Sequence, residues 1–153
     1  MKVLVREATE IDLDDLTALA LLLWPDEDED DLGEAMAEIV ESPTQVAFVA
    51  IADGIASGFA TASVRADYVE GSDSSPVGYL EGVYTDIEHR RQGIARSLVR
   101  AIERWVAMQG CTEFGSDAYL NNAESHAFHR AVGFEEAAQL VAFIKQIDDA
   151  DLA

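Results

Sequence analysis

Apolar residues recur along this chain with two spacings, and the switches between them order the elements. Lys2 to Arg6 alternates and predicts a strand. Leu13, Leu16, Leu19, Ala20 and Leu23 then recur at three- and four-residue intervals and predict a helix. Thr9 can cap that helix, Asp12 stands at capping-box spacing, and Pro25 ends it. A second helix is expected from about Asp30 to Val40, broken by Ser42-Pro43. Gln45 to Ala52 and Ile55 to Val64 are rich in β-formers, and Asp53-Gly54 between them signals a two-residue hairpin. Arg65 to Pro76 is polar and too long for a tight turn, so it is expected to be a loop on the substrate side of a site. Val77 to Thr85 reads as the next strand. Gln92 to Gln109 reads as a helix with Ile94, Leu98, Ile102 and Trp105 on its core face and Gly110 as its C-cap. A short strand at Thr112 to Asp117, a helix from Asn122 to Val132 and a last strand at Leu140 to Ile147 complete the order. It is an α+β order with no internal repeat: one domain over 1–147, followed by an acidic tail over 148–153.

Composition narrows the function classes. The chain has 153 residues, enough for one domain with a real core. No apolar run has the length of a membrane span, and Met1 to Arg6 lacks the apolar region of a signal peptide. A cytoplasmic location is the expectation. Cys111 is the single cysteine, which excludes an internal disulfide, and its place at an element boundary predicts burial. His89 and His126 have no partner at metal-ligand spacing, and no metal is expected. Ten basic residues face 30 acidic ones, a net charge of -20, and the only lysines are Lys2 and Lys145. Nucleic acid is excluded as a partner, because phosphate contacts need a basic face. A polycationic small molecule would be attracted. The run Asp26 to Asp31 and the tail from Asp148 read as solvated surface instead, as in salt-adapted proteins. Composition leaves both accounts of the acidity open.

The chemistry starts at Arg90-Arg91-Gln92-Gly93-Ile94-Ala95. A basic, glycine-containing turn entering a helix gathers main-chain N–H groups that have no intrahelical partner, and the helix dipole favours an anion there. Such a turn also caps ordinary surface helices, so its context decides. The hexapeptide matches the pattern Gln/Arg-x-x-Gly-x-Gly/Ala. Together with Asn122 to Phe134 at the expected distance, it makes the chain resemble the GNAT superfamily of N-acetyltransferases over about residues 1–147. That resemblance implies a GNAT-type mixed, mainly antiparallel sheet, flanked by helices and splayed between its fourth and fifth strands. It implies acetyl-CoA as co-substrate. Arg91, Gly93, Ile94, Ala95 and Arg96 would hold the pyrophosphate, Val83 and Thr85 would pair with pantetheine, and Asn122 would reach its arm. His129 stands where many members carry a tyrosine acid. It could act as an acid or simply pack near the CoA sulfur.

Further segments are similar to the aminoglycoside 6'-N-acetyltransferases of Gram-negative bacteria: Leu23-Trp24-Pro25, Gly58-Phe59-Ala60, Asp67-Tyr68-Val69, Gly71, Asp73-Ser74-Ser75-Pro76, Leu80-Glu81-Gly82 and Ser116-Asp117. This narrower resemblance implies acetylation of an aminoglycoside at the 6'-amine by direct transfer in a ternary complex, resistance to the drug, and a homodimer. Asp117 would hold the reacting amine, and Glu81 a neighbouring ammonium or a relayed proton. Trp24, Tyr68 and Asp73 would line the acceptor cleft; for Trp24 a core position is the rival, and for Glu70 a plain loop surface. Two other readings remain: an acetyltransferase for another polyamine, amino sugar or protein amine, and a non-catalytic acidic CoA-binding module.

Overall fold

The structure is a computed structural model that describes residues 2–149; positions 150–153 of the expected acidic tail lie outside the described residues. Strand β1 (Val3–Glu7) leads into a short 3-10 turn (Glu10–Asp12) and helix α1 (Leu13–Leu23). Arg6 donates to both oxygens of Asp12 at 2.8 Å, and the Thr9 N–H donates to the same carboxylate at 2.8 Å. Asp12 is buried, so these donors replace the water it loses. The capping box read from Thr9 and Asp12 is thus present and has a guanidinium added to it. Helix α2 (Glu29–Glu41) begins at Asp28, whose side chain accepts from the Asp31 N–H.

Strands β2 (Gln45–Ala52), β3 (Ile55–Arg65), β4 (Val77–Thr85) and β5 (Phe114–Gly115) join β1 in one sheet of order β1-β2-β3-β4-β5. All neighbours are antiparallel except β4 and β5, which run parallel. Asp53 and Gly54 both have positive φ, as a two-residue hairpin turn requires. Opposite Thr61 and Ala62 the register of β4 jumps from Gly82 to Leu80, so Glu81 is the extra residue of a bulge. β4 and β5 share only the pairs Gly78–Phe114 and Tyr79–Gly115 and then part. The splay expected between the fourth and fifth strands is present.

Helices cover both faces. Leu16, Leu19 and Ala20 of α1 and Leu32 and Met36 of α2 bury against Ala47, Val49 and Phe59. On the other face helix α3 (Ile94–Met108) buries Ile94, Leu98, Ile102 and Val106 against Val46, Ala50, Ala60, Ala62 and Leu80. Helix α4 (Ala123–Ala131) is the last helix or strand element among the described residues. Gly58 seats the start of α3. A Cβ there would lie 2.8 Å from the Tyr84 carbonyl oxygen and 3.2 Å from Ile94 Cγ2.

Four expectations need correction. The last strand, Leu140 to Ile147, does not form: these residues belong to no strand, and they are exposed. Residue pattern reports strand propensity, whereas pairing requires an edge within reach. The strand expected over Thr112 to Asp117 shrinks to two residues, because β4 diverges beyond Tyr79. Helix α3 starts at Ile94, two residues late, because Arg91 and Gly93 take left-handed φ values of 65° and 79°. On α3, Val106 takes the deep position expected of Trp105, which is only half-buried.

Gly58→Ala should destabilise the chain by about 1–3 kcal/mol in urea unfolding, because the new methyl meets main chain that cannot rotate away. A second test uses pH. The Arg6 guanidinium, with the Thr9 N–H, holds the Asp12 carboxyl below its ordinary value. A depressed folded value contributes stability above the unfolded carboxylate pKa of about 3.9, and that stability is lost as pH falls through the folded value. Asp12→Asn should lower Tm at pH 7 and reduce the further loss of Tm on acidification.

Candidate functional site

Three groups of residues meet where β4 and β5 part. The first is the turn into α3. Gly93 is the N-cap in the left-handed region, and the first intrahelical bond there runs from the Ser97 N–H to the Gly93 carbonyl, 3.0 Å. The N–H groups of Ile94, Ala95 and Arg96 therefore point out of the helix start without an intrahelical partner. No acidic residue occupies that first turn, and Arg91 and Arg96 are exposed beside it. Arg90 folds back onto β4: its Nε donates to the Thr85 carbonyl at 3.0 Å, and its guanidinium lies 5.6 Å from the Tyr84 ring centroid. It fixes the turn to β4.

The second group is the free side of β4. The Asp86 N–H donates to the Ser57 carbonyl at 2.7 Å, which makes that opposed pair a hydrogen-bonded one. Bonded and non-bonded pairs alternate in an antiparallel ladder. Thr85, opposite Gly58, and Val83, opposite Ala60, are therefore non-bonded and turn their main-chain groups away from β3, towards the gap. The Thr85 carbonyl is taken by Arg90; the Val83 groups and the Thr85 N–H remain for a ligand. Thr85 Oγ1 is also buried without a partner among the described residues. An extended amide-bearing chain ending in a pyrophosphate fits this row of donors and acceptors.

The third group is a cleft of about 400 Å3 lined by Trp24, Glu81, Val83, Asp117, Asn122 and His129, among others. Trp24 lies against Gly82, where a Cβ would meet its ring at 2.7 Å, and edge-on to Phe59 at 6.1 Å. It packs on the core and also lines the cleft. Glu81 accepts from Ser63 Oγ at 2.7 Å and from Arg65 Nη2 at 2.8 Å and 3.1 Å. The Arg65 guanidinium in turn stacks 3.5 Å over the Tyr79 ring. The Tyr79 hydroxyl donates a short hydrogen bond to Asp117 Oδ2. One network thus runs from Glu81 through Arg65 and Tyr79 to Asp117. Burial, with the Asp117 carboxylate beside it, pushes the Tyr79 hydroxyl well above its ordinary pKa, so it stays a donor.

His129 is held at both nitrogens. Nδ1 lies 2.7 Å from the Ser125 carbonyl, which can only accept, so Nδ1 carries the proton. In the neutral ring Nε2 then accepts from Ser116 Oγ at 2.8 Å. Both the imidazole and that hydroxyl line the cleft. Asn122 is occupied locally as the N-cap of α4, accepting from the Ser125 N–H at 3.1 Å.

Two expected residues are not brought to the cleft. Tyr68 is 74% exposed on the loop between β3 and β4 and does not line it. Asp73 is likewise outside the lining; its N–H donates to Glu113 Oε1 at 2.9 Å, and the Ser74 hydroxyl donates to the same oxygen. These contacts pin the loop to the chain entering β5. Sequence reasoning missed Arg65, Tyr79 and Ser116. Arg65 had one signal, as the lone cation of its strand, but only the ladder register sets it beside Glu81. Cys111 is buried, as expected, and burial pushes its thiol up, away from the thiolate form. No group of three or more potential metal ligands occurs among the described residues, and no described helix is long and apolar enough to cross a membrane.

A splayed sheet with a pyrophosphate-type turn at the start of its central helix defines a class, and the family comparison names it. Residues 11–134 match the model of the acetyltransferase (GNAT) family, and the chain belongs to that family, whose enzymes use acetyl-CoA. Its relatives are narrower in kind. It is 41% identical over 144 residues to an aminoglycoside N(6')-acetyltransferase type 1 of Acinetobacter haemolyticus, covering 94% of this chain and 99% of that one. It is 39% identical over 142 residues to the enzyme of the same name from Salmonella typhimurium, covering 93% and 98%. Among solved structures, AAC(6')-Iy in complex with a bisubstrate analog, CoA-S-monomethyl-acetylneamine, superposes with a TM-score of 0.93 at 37% identity, covering 96% of this chain and all of that one.

Tyr79→Phe removes the donor to Asp117 and should lower kcat/KM for the amine roughly tenfold, the equivalent of about 1.4 kcal/mol, with an unchanged circular dichroism spectrum. An unaltered kcat/KM would mean that Asp117 needs no such anchor.

Proposed function

We propose that this protein transfers the acetyl group of acetyl-CoA to the 6'-amine of an aminoglycoside, directly and with both substrates bound. The observation that carries the reading is that Glu81 and Asp117, separate in sequence, line one cleft with Val83 and His129. Two carboxylates suit a polycationic acceptor, and the relatives' shared activity supports the same acceptor class.

On this reading the turn at Arg91, Gly93, Ile94, Ala95 and Arg96 takes the pyrophosphate, and the outward main-chain groups of Val83 and Thr85 pair with pantetheine. Asn122 borders the pantetheine arm. The thioester carbonyl would then lie near the Val83 N–H, a donor for the oxyanion of the tetrahedral intermediate. The incoming amine is an ammonium at pH 7; only about 0.1% or less of an alkyl amine is neutral there. Asp117, with Oδ2 fixed by Tyr79, holds that nitrogen. Because a carboxylate also raises the amine pKa, the proton must leave by a water chain. Glu81, whose charge is shared with Arg65, holds a second ammonium or receives that proton. Nitrogen attacks the thioester carbon, the C–S bond breaks, and CoA thiolate departs. The thiolate can leave unassisted; an acid role for His129 requires the doubly protonated ring, whose Nε2–H donates to Ser116 Oγ as that hydroxyl donates to sulfur. Holding the two reactants in line supplies much of the acceleration.

Trp24 offers an aromatic wall to the acceptor. Tyr68 and Asp73 join the site only if the loop carrying them closes over a bound sugar. The same reading makes the protein a cytoplasmic homodimer that confers aminoglycoside resistance.

The test is an acceptor panel read by mass spectrometry. Kanamycin and tobramycin should each gain one acetyl group, placed on the 6'-nitrogen by fragmentation, and Asp117→Ala should lower kcat/KM at least tenfold. Acetylation of other polyamines, amino sugars or protein amines alone would replace the acceptor. Acetyl-CoA binding without turnover of any amine would replace the enzyme with a binding module.

A further inference from the structure

Ser116 and His129 form a second reactive pair in the cleft, on the opposite face of the sheet from Asp117 and Tyr79. A Cβ on Gly115 would lie 2.9 Å from Val69 and 3.2 Å from Tyr79, so Gly115 faces the loop between β3 and β4. Phe114, one residue earlier, packs with Val83 against the core beneath α3. Its ring lies 5.1 Å from Phe134, which in turn lies 5.2 Å from His129. Successive residues of an extended chain alternate between faces. Ser116 therefore returns to the Phe114 side and meets His129, while Asp117 returns to the Tyr79 side and meets its hydroxyl. Val83 shares the face of Ser116, and Val83, Ser116, Asp117 and His129 all line the same cleft of about 400 Å3. The pair has the parts of an activated serine. The His129 Nδ1–H donates to the Ser125 carbonyl at 2.7 Å, which fixes the ring and its tautomer. The lone pair of Nε2 then points at Ser116 Oγ, 2.8 Å away. A nucleophile in hydrogen-bond reach of a base, and a third group that orients the base, are what such a serine needs.

We propose that Ser116 is itself an acetyl acceptor, and that without an amine the chain turns acetyl-CoA over slowly as a thioester hydrolase. Ser116 Oγ adds to the thioester carbon as its proton passes to His129 Nε2. The C–S bond breaks, and the thiolate takes that proton and leaves as CoA. An acetyl ester on Ser116 and a neutral His129 remain. Water then gives a proton to Nε2 and adds to the ester carbon. The bond to Ser116 Oγ breaks, and the serine recovers the proton from His129. The sum is acetyl-CoA and water to acetic acid and CoA. The trigonal thioester carbon has two faces. Ser116 approaches it from the α4 side and an amine held by Asp117 from the other, so the two nucleophiles compete for one carbon. A neutral amine is the stronger nucleophile, and a bound acceptor therefore suppresses the serine ester. This inference rests on the acetyl-CoA placement of the reading above and is independent of the acceptor's identity.

The full chain in amine-free buffer with acetyl-CoA should release CoA, followed by chromatography, at roughly ten times the rate of acetyl-CoA in buffer alone. Acid-quenched protein should carry one acetyl group on the peptide that contains Ser116, and an amine the chain acetylates, added at saturation, should lower that label. Ser116→Ala should lose both the ester and the release, with an unchanged circular dichroism spectrum. His129→Gln, the second variant, keeps the serine but not the base and should slow the release roughly tenfold. No release above buffer, a release that survives either substitution, or an acetyl group found on another residue each overturns the proposal. A chain that releases no CoA alone yet acetylates kanamycin would sink this inference and leave the enzymatic reading intact. A chain that binds no acetyl-CoA in calorimetry would sink both.

Discussion

β4 and β5 share two residue pairs, Gly78 with Phe114 and Tyr79 with Gly115, and then separate. A parallel pair that continued would satisfy the outward main-chain groups of Val83 and Thr85 within the sheet, and no ligand could reach them. Because the pair ends, those groups border open space, and hydrogen-bonding groups left there favour a partner of the same spacing. The helix start that would hold the pyrophosphate is fixed against the same strands by Gly58, which admits Ile94 and Leu98 against β3, and by Arg90, which ties the turn to the Thr85 carbonyl.

The electrostatics of the site run against the character of the chain. With 30 acidic residues and 10 basic ones, arginine is scarce, and the described structure uses several at defined points. Arg6 answers the buried carboxylate of Asp12, and Arg90, Arg91 and Arg96 surround the anion turn. Arg65 pairs with Glu81, so this carboxylate is not a free anion awaiting a cation. On the proposed reading, an arriving ammonium would share Glu81 with a resident guanidinium. Asp117 has one oxygen fixed by a neutral donor that stays protonated, which orients its charge without cancelling it. The two carboxylates therefore differ in kind, which is why the proposed reading gives Asp117 the reacting amine and Glu81 the charge that can be redistributed.

The loop between β3 and β4 shows how far the acceptor side is held in place. Glu113, just before β5, takes the Asp73 N–H and the Ser74 hydroxyl. These hydrogen bonds also hold the Glu113 carboxyl below its ordinary value, so it stays an acceptor. Val69 is buried with Val77 and Tyr79, while its neighbour Tyr68 stays outside. One end of the loop is thus anchored to the chain entering β5, just ahead of Asp117, and the aromatic tip faces solvent.

Most of the fold was legible along the chain. The hairpin at Asp53-Gly54, the extents of β2 and β4, the cap at Thr9 and the glycine turn into α3 all follow from local chemistry, which depends on residues a few positions apart. Glu81 and Asp117 could be singled out as residues, and the family pattern at Arg90 to Ala95 and Asn122 to Phe134 was already present as spacing. The sequence could not show that Arg65 reaches Glu81, that Tyr79 reaches Asp117 or that Ser116 stands before His129. Those contacts join positions 16, 38 and 13 residues apart, and they exist only once ladder register and helix seating are set. The same limit explains the end of the chain. Leu140 to Ile147 has the composition of a strand by itself, but whether a strand forms depends on which edge lies beside it, and only the tertiary structure decides that.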